Sequence, residues 1–141
     1  MFYKVSAHLR HRADLLLQGR IDELVTAYHC PLPVELGDKR LIVCTVDEGH
    51  AMLTLLRTAL LARGVVALRP TVVAMDLPRA GRFRVWVDWQ ELALPAQETR
   101  TSSVVHYCRI SPAGPVTEML CYTRLSMPEL NPQFAGLALS A

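Results

Sequence analysis

Apolar and polar residues along positions 65–127 follow a pattern that predicts four consecutive β-strands. Side chains from Phe83 to Trp89 alternate clearly, as a strand with two different faces requires. Segments rich in proline and glycine separate the strand-like runs and favour turns. Pro70, inside the first run, predicts an edge strand or a bulge. The predicted antiparallel meander therefore consists of Val65–Leu77, Phe83–Leu92, Thr99–Ile110 and Val116–Met127.

The chain before this meander has the three-to-four-residue apolar spacing of amphipathic helices. Thr45 followed by Glu48 is a capping-box pattern, which predicts a helix start, and Gly64 predicts its end. Since every predicted helix precedes the meander, we expect an α+β domain with helices on one face of the sheet. The predicted elements are the helices Phe2–Gln18 and Ile21–Tyr28, the short strands Val34–Leu36 and Lys39–Cys44, and the helix from Thr45 to Gly64.

Both faces of the predicted sheet carry apolar side chains. Trp86 and Leu92 lie on the face opposite Phe83 and Trp89, whereas a sheet with one solvated face shows a cleaner alternation. Helices that precede the sheet can cover only one of these faces. We therefore predict that the other face meets a second subunit in a homodimer.

Composition is consistent with one domain over residues 1–141, because 51% of the residues are hydrophobic. Residues 128–141 are expected to be flexible or to lie at the dimer interface. The net charge of +2 and the scattered basic residues argue against a nucleic-acid partner. No apolar run reaches the roughly 20 residues that span a bilayer, and the N-terminus lacks the apolar run of a signal peptide. These features predict a soluble, cytoplasmic protein without a membrane partner.

Metal and cofactor sites are not predicted. The cysteines at 30, 44, 108 and 121 form no C-x-x-C pair, so we expect small buried side chains rather than zinc ligands. His8 and His11 lie three residues apart, but no carboxylate or cysteine stands at a completing spacing. Solvated histidines are the favoured interpretation.

Three segments that precede the long strands carry a resemblance to a known family: Gly19–Tyr28, the strand Val34–Leu36 and the helix at 46–63. In this order the elements resemble the nuclear transport factor two-like family. Arg20 stands where that family often has aspartate. The resemblance covers nearly the whole chain, and element order is its strongest feature. It implies a cone-shaped α+β barrel, with a curved sheet around the helices, a pocket at the open end and a homodimer through the outer sheet face. Members include ketosteroid isomerase, scytalone dehydratase and polyketide cyclases, so the fold alone does not imply one activity.

The isomerase branch of this family needs a carboxylate base, an oxyanion-binding tyrosine and a protonated carboxylic acid. The resemblance places Leu36, Arg12 and Ser103 at the corresponding positions. All three depart from the isomerase pattern, which argues against steroid isomerisation. These residues remain candidate ligand-binding residues, together with Tyr28 and Trp89.

The dehydratase-like members use Tyr, His and Asp around the pocket, which makes His106, Asp88 and Tyr122 the candidate catalytic residues here. Adjacent residues of a strand face opposite ways, so either Ser103 or His106 enters the cone. The sequence leaves this choice open. It also leaves open a non-catalytic role for each of the three residues. In that case His106 is only hydrogen-bonded or at an interface, Tyr122 is a core tyrosine, and Asp88 pairs with an arginine such as Arg84 or Arg100.

These observations predict a domain that binds a small hydrophobic molecule, and leave open whether it is an enzyme of the lyase, isomerase or cyclase type. The alternative is a non-catalytic module for dimerisation or partner binding, with the pocket filled by its own side chains. A cavity with an inward titratable group would favour the first function. A cavity plugged by Trp86, Trp89 or methionine would favour the second.

Overall fold

The computed structural model of the chain describes residues 2–95 and 99–126. Apolar spacing, a capping residue and alternating strands produce the elements in the predicted order. The helices are α1 (Phe2–Gln18), α2 (Ile21–Leu24) and α3 (Val46–Ala62), and the strands are β1 (Leu32–Leu36), β2 (Lys39–Val43), β3 (Val65–Met75), β4 (Arg82–Ala93), β5 (Arg100–Ser111) and β6 (Gly114–Arg124).

The six strands form one curved, unclosed sheet in the order β2-β1-β6-β5-β4-β3. All neighbouring strands are antiparallel except β1 and β6, which run parallel. The predicted α+β architecture, with helices inside a cone-like mixed sheet, is confirmed. The described part of the chain contains no helix long and apolar enough to cross a membrane.

Strands β3 to β6 confirm the predicted meander, with small differences at their ends. Pro70 lies in β3, which is an edge strand, as predicted. Strand β6 already begins at Gly114, because Ser111 and Gly114 pair across a two-residue turn and the Ser111 hydroxyl donates to the Gly114 carbonyl. The predicted strand end at Met127 and the tail at 128–141 lie outside the described residues.

The second predicted helix is shorter than its apolar spacing indicates. Helix α2 ends at Leu24 and continues only as a 3-10 turn over Val25–Ala27. Tyr28 is extended and pairs with Thr117 of β6, and the His29 amide donates to the Thr117 carbonyl at 2.9 Å. Backbone pairing with the sheet thus replaces the last helical turn.

The start of α3 confirms the predicted capping residues. The Thr45 hydroxyl accepts a hydrogen bond from the Glu48 amide at 3.2 Å. The Glu48 carboxylate accepts from the Cys44 amide at 2.6 Å, so it reaches one residue farther back than a capping box requires. Cys108 is buried, but Cys44 is exposed and Cys30 and Cys121 are half-buried, which corrects the expectation of four buried cysteines.

The inner face of the sheet forms the core with the helices. Helix α1 contributes Val5, Leu9 and Leu16, and its closest sheet partner is β3. Phe83, Val85 and Val87 of β4 lie on the inner face, as do Val104 and Cys108 of β5. Even-numbered residues of β5 therefore face the cone, which resolves the choice that the sequence left open.

Candidate functional site

Two adjoining cavities lie between α1, α3 and the inner face of the sheet. They share lining residues such as Tyr28, Leu56 and Tyr122, and are described as two lobes of one site. One lobe, of about 100 Å³, is lined by Arg12, Glu91, Ser102 and His106 among apolar neighbours, and is called the polar lobe. The other, of about 120 Å³, is called the apolar lobe. The apolar lobe is lined mainly by aliphatic side chains from β1, β2 and α3, such as Leu32, Val34, Leu36, Val43 and Met52.

Two tyrosines stand where the lobes meet. Tyr28 and Tyr122 line both lobes, together with Leu53, Leu56 and Leu120. Burial, and secondarily the neighbouring Tyr28, raises the pKa of the Tyr122 hydroxyl above its usual range. Tyr122 therefore keeps its proton at neutral pH and can donate a hydrogen bond.

Arg12 brings a buried positive charge to the polar lobe. Its side chain is 3% exposed. One guanidinium nitrogen, Nη1, donates to the Thr117 hydroxyl at 2.7 Å, and Nη2 donates to the Pro115 carbonyl at 2.8 Å. The guanidinium also lies 5.2 Å from the centre of the Tyr28 ring, within cation–π range.

No carboxylate among the described residues forms an ion pair with Arg12. Its Nε atom is buried and has no hydrogen-bond partner there. Buried charges are normally paired, because removing them from water is costly. The guanidinium therefore has capacity for an additional acceptor.

His106 of β5 is also buried, at 3% exposure. Its Nδ1 lies 3.2 Å from the Thr117 hydroxyl, and its Nε2 has no partner among the described residues. Burial, and then the positive charge of Arg12, lowers the pKa of His106 to about 3. The imidazole is therefore neutral at pH 7, and Trp89 packs beside it with ring centres 6.3 Å apart.

Glu91 is the acidic residue in the wall of the polar lobe. Its carboxylate is 2.6 Å from Nη1 of Arg63, the C-cap residue of α3. This ion pair links β4 to the end of α3. It pairs the negative charge of Glu91 with a residue that does not line the cavity. Glu91 consequently does not compensate Arg12 by direct contact.

The structure brings most of the predicted site residues to the cavity. His106, Tyr122, Arg12 and Trp89 line the polar lobe, Leu36 lines the apolar lobe, and Tyr28 lines both. Sequence reasoning missed Glu91 and Thr117. The inward alternation of β4 extends from Trp89 to Glu91 and could have identified it, whereas Thr117 depends on the register of β5 with β6.

Asp88 and Ser103 lie on the other face of the sheet. They are directly opposite each other on β4 and β5, and the Ser103 hydroxyl donates to the Asp88 carboxylate at 2.7 Å. The structure therefore does not bring the predicted acid Asp88 or the predicted ligand residue Ser103 to the cavity. Arg84 pairs with Asp76 rather than with Asp88. The reason is strand parity, because even positions of β5 and odd positions of β4 face the cone.

Comparison with solved structures shows the fold family of this cone. A nuclear transport factor two-like protein with a cystatin-like fold from Novosphingobium aromaticivorans matches with a TM-score of 0.67 and 12% identity, over 94% of this chain and 86% of that one. A similar protein of unknown function from Shewanella oneidensis matches with a TM-score of 0.65 and 14% identity, over 86% and 97% of the two chains.

A third match is a ketosteroid isomerase-like protein from Erwinia carotovora, with a TM-score of 0.54 and 11% identity, over 87% of this chain and 96% of that one. No protein-family model and no curated protein matches the sequence. The nuclear transport factor two-like fold is therefore shown by structural similarity, as the sequence predicted.

Proposed function

We propose that this domain binds a small, mainly hydrophobic organic molecule in the two-lobed cavity. The observation that carries this proposal is a cavity that its own side chains leave open, with unpartnered polar atoms at one end. Trp86 points to the outer face of the sheet, while Trp89 and Met52 line the lobes without filling them. Pockets of this kind, largely apolar with a few convergent polar groups, are typical ligand sites. The printed name of one structural neighbour, ketosteroid isomerase-like, agrees with a small-molecule ligand.

Binding is better supported than catalysis by proton transfer. A general base works best when its pKa is near the operating pH. The pKa of His106 is about 3, and that of Tyr122 is raised above its usual range, so neither changes protonation near neutrality. Both residues act more naturally as neutral hydrogen-bonding groups around a ligand. Glu91, paired with Arg63, is the carboxylate among the described lining residues that a lyase- or isomerase-type reaction would use.

Ligand-observed NMR with small neutral probes such as indole and cyclohexanol tests the binding function. Leu56 lines both lobes, so Leu56→Phe should fill the cavity and weaken binding about tenfold, or roughly 1.4 kcal/mol. Leu61→Phe on the same helix is the matched control, because Leu61 is 43% exposed. Probe binding that both variants retain equally would place the probes outside the cavity and contradict the proposal.

We also propose that the outer face of the sheet mediates homodimerisation. Ala74, Trp86, Val105 and Cys121 are paired neighbours across four strands and form an apolar row on this face. Light scattering should give twice the monomer mass, and Trp86→Glu should lower it toward the monomer. Leu77→Glu, at a position 90% exposed beyond β3, is the control. A monomeric wild-type protein would contradict this second proposal.

A further inference from the structure

The Thr117 hydroxyl connects the two buried polar side chains of the polar lobe. Thr117 has no exposed surface, and its Oγ1 lies 2.7 Å from Arg12 Nη1 and 3.2 Å from His106 Nδ1. The Cys108 sulfur is more distant, at 3.9 Å. A hydroxyl has one proton to donate, so these contacts restrict where the protons lie.

Arg12 can only donate, so Thr117 Oγ1 must accept from it. A hydroxyl that already accepts a charged hydrogen bond becomes a stronger donor and a weaker acceptor for a second bond. The His106 Nδ1 lone pair is also favoured beside the guanidinium, whereas an Nδ1–H would turn its partial positive charge toward Arg12. The hydroxyl proton is therefore best placed on the bond to Nδ1.

We propose that Thr117 holds His106 as the neutral tautomer protonated at Nε2, so that the polar lobe presents hydrogen-bond donors to an organic anion such as a carboxylate. This inference deepens the proposed binding function and rests on it. Thr117 is a positioning residue, because it acts on the ligand through His106 and Arg12. The donor relay runs from Arg12 Nη1 to Thr117 Oγ1, and from the Thr117 hydroxyl to His106 Nδ1.

Within the described part of the chain, three side chains of the polar lobe have buried atoms without a hydrogen bond, and two of these atoms can act as donors. The third, Glu91 Oε1, is an acceptor that lies 2.6 Å from Arg63 Nη1 in an ion pair. Arg12 Nε and His106 Nε2 are buried without partners among the described residues, and in this tautomer both carry a proton to donate. Among the described residues of this wall, the one carboxylate is Glu91, which is in an ion pair with Arg63. A ligand carboxylate would accept these hydrogen bonds and compensate the charge of Arg12. The hydrocarbon part of the same ligand would occupy the apolar lobe.

The tautomer can be measured without any ligand. In uniformly ¹⁵N-labelled protein, long-range ¹H–¹⁵N correlation should show His106 protonated at Nε2 and unprotonated at Nδ1 at neutral pH. Thr117→Ser keeps a hydroxyl and should preserve this pattern, whereas Thr117→Val should lose it. Protonation at Nδ1 in the wild-type protein would overturn the inference, whatever binds in the cavity.

Ligand class is tested with octanoate, octanol and octylamine, which share one chain and differ in the head group. We expect octanoate to bind at least tenfold more tightly than octanol, and octylamine to bind most weakly. Arg12→Met should abolish the preference for octanoate, and Arg10→Met, at an exposed position of the same helix, should retain it. Thr117→Ser should also retain it and Thr117→Val should weaken it, and this pair provides a second check if Arg12→Met fails to fold.

The outcomes separate the two proposals. Equal affinity for octanoate and octanol, or tighter binding of octylamine, would leave cavity binding intact and overturn the anion inference. If none of the three binds and none displaces a neutral probe from the cavity, the binding function itself is contradicted. The tautomer measurement still decides the relay in that case.

Discussion

The two lobes of the cavity lie side by side and share part of their wall, yet the residues that distinguish them come from different parts of the chain. The apolar lobe receives aliphatic side chains from β1, β2 and α3, whereas the polar lobe receives Arg12 from α1 and His106 from the middle of the sheet. Tyr28 and Tyr122 belong to both. This division predicts a ligand with a hydrocarbon part and a hydrogen-bond acceptor, since neither lobe alone satisfies both.

A negative charge should cost much more stability in the apolar lobe than in the polar lobe, and this comparison gives the largest predicted effect. Leu36→Asp would bury a carboxylate in the apolar lobe without a partner and should destabilise the fold by about 3–5 kcal/mol. Ser102→Asp places the carboxylate in the lobe that contains Arg12, where it can still accept from the Ser126 amide. Its cost in urea-induced unfolding should be far smaller. Equal costs would remove the distinction between the lobes.

Removal of the Thr117 hydroxyl should have the next largest effect. Thr117→Val leaves the buried Arg12 and His106 groups without their shared partner, at an expected cost of about 1–3 kcal/mol. Thr123→Val is the matched control, since the Thr123 hydroxyl is exposed and bonds only the Ser103 carbonyl. Its unfolding free energy should change by less than about 0.5 kcal/mol. A cost for Thr117→Val as small as that of the control would show that the relay adds no stability.

The pH dependence of the free energy of unfolding should show that His106 is buried and neutral in the folded protein. Its pKa is about 3 in the folded protein and about 6.5 in the unfolded chain. Between these values the unfolded chain binds the proton, so stability falls as the pH decreases through this window. His8, with a pKa lowered to about 4, contributes in the same direction. His106→Gln should reduce the slope of unfolding free energy against pH by roughly 1 kcal/mol per unit. An unchanged slope between pH 6 and pH 4 would contradict the buried neutral histidine.

A substitution on the outer face of the sheet should have the smallest effect on stability and on ligand binding in the cavity. Asp88→Asn keeps a hydrogen-bond acceptor for Ser103 on that face. We expect a change of less than about 0.5 kcal/mol in stability and no change in affinity for cavity ligands. Loss of ligand affinity in Asp88→Asn, with stability retained, would show that the outer face contributes to the site.

The sequence predicted the fold more completely than the site. Apolar spacing identified α1 at both ends, and alternation located β4 within one residue. Alternation does not tell which face turns inward, because Trp86 and Trp89 are equally suited to a buried face. The packing of α1 on the sheet makes that choice and assigns His106 to the cavity and Asp88 to the outer face. Thr117 was missed because its contact with His106 depends on the register of β5 with β6, and because Arg12 lies far away in sequence.

Helix two shows a second limit of local patterns. Its apolar spacing continues to Tyr28, but the sheet binds the backbone at Tyr28 and His29 and ends the helix early. This pairing positions Tyr28 at the junction of the two lobes, next to Arg12. Tertiary pairing therefore determines the position of a site residue that helical periodicity alone would have placed differently.

A crystal structure of the protein with octanoate would test the account most directly. We predict that the carboxylate lies within hydrogen-bonding distance of His106 Nε2 and the Arg12 guanidinium, with the alkyl chain between Tyr28 and Tyr122 and extending into the apolar lobe. A carboxylate directed to solvent, or an alkyl chain in the polar lobe against His106, would contradict the account.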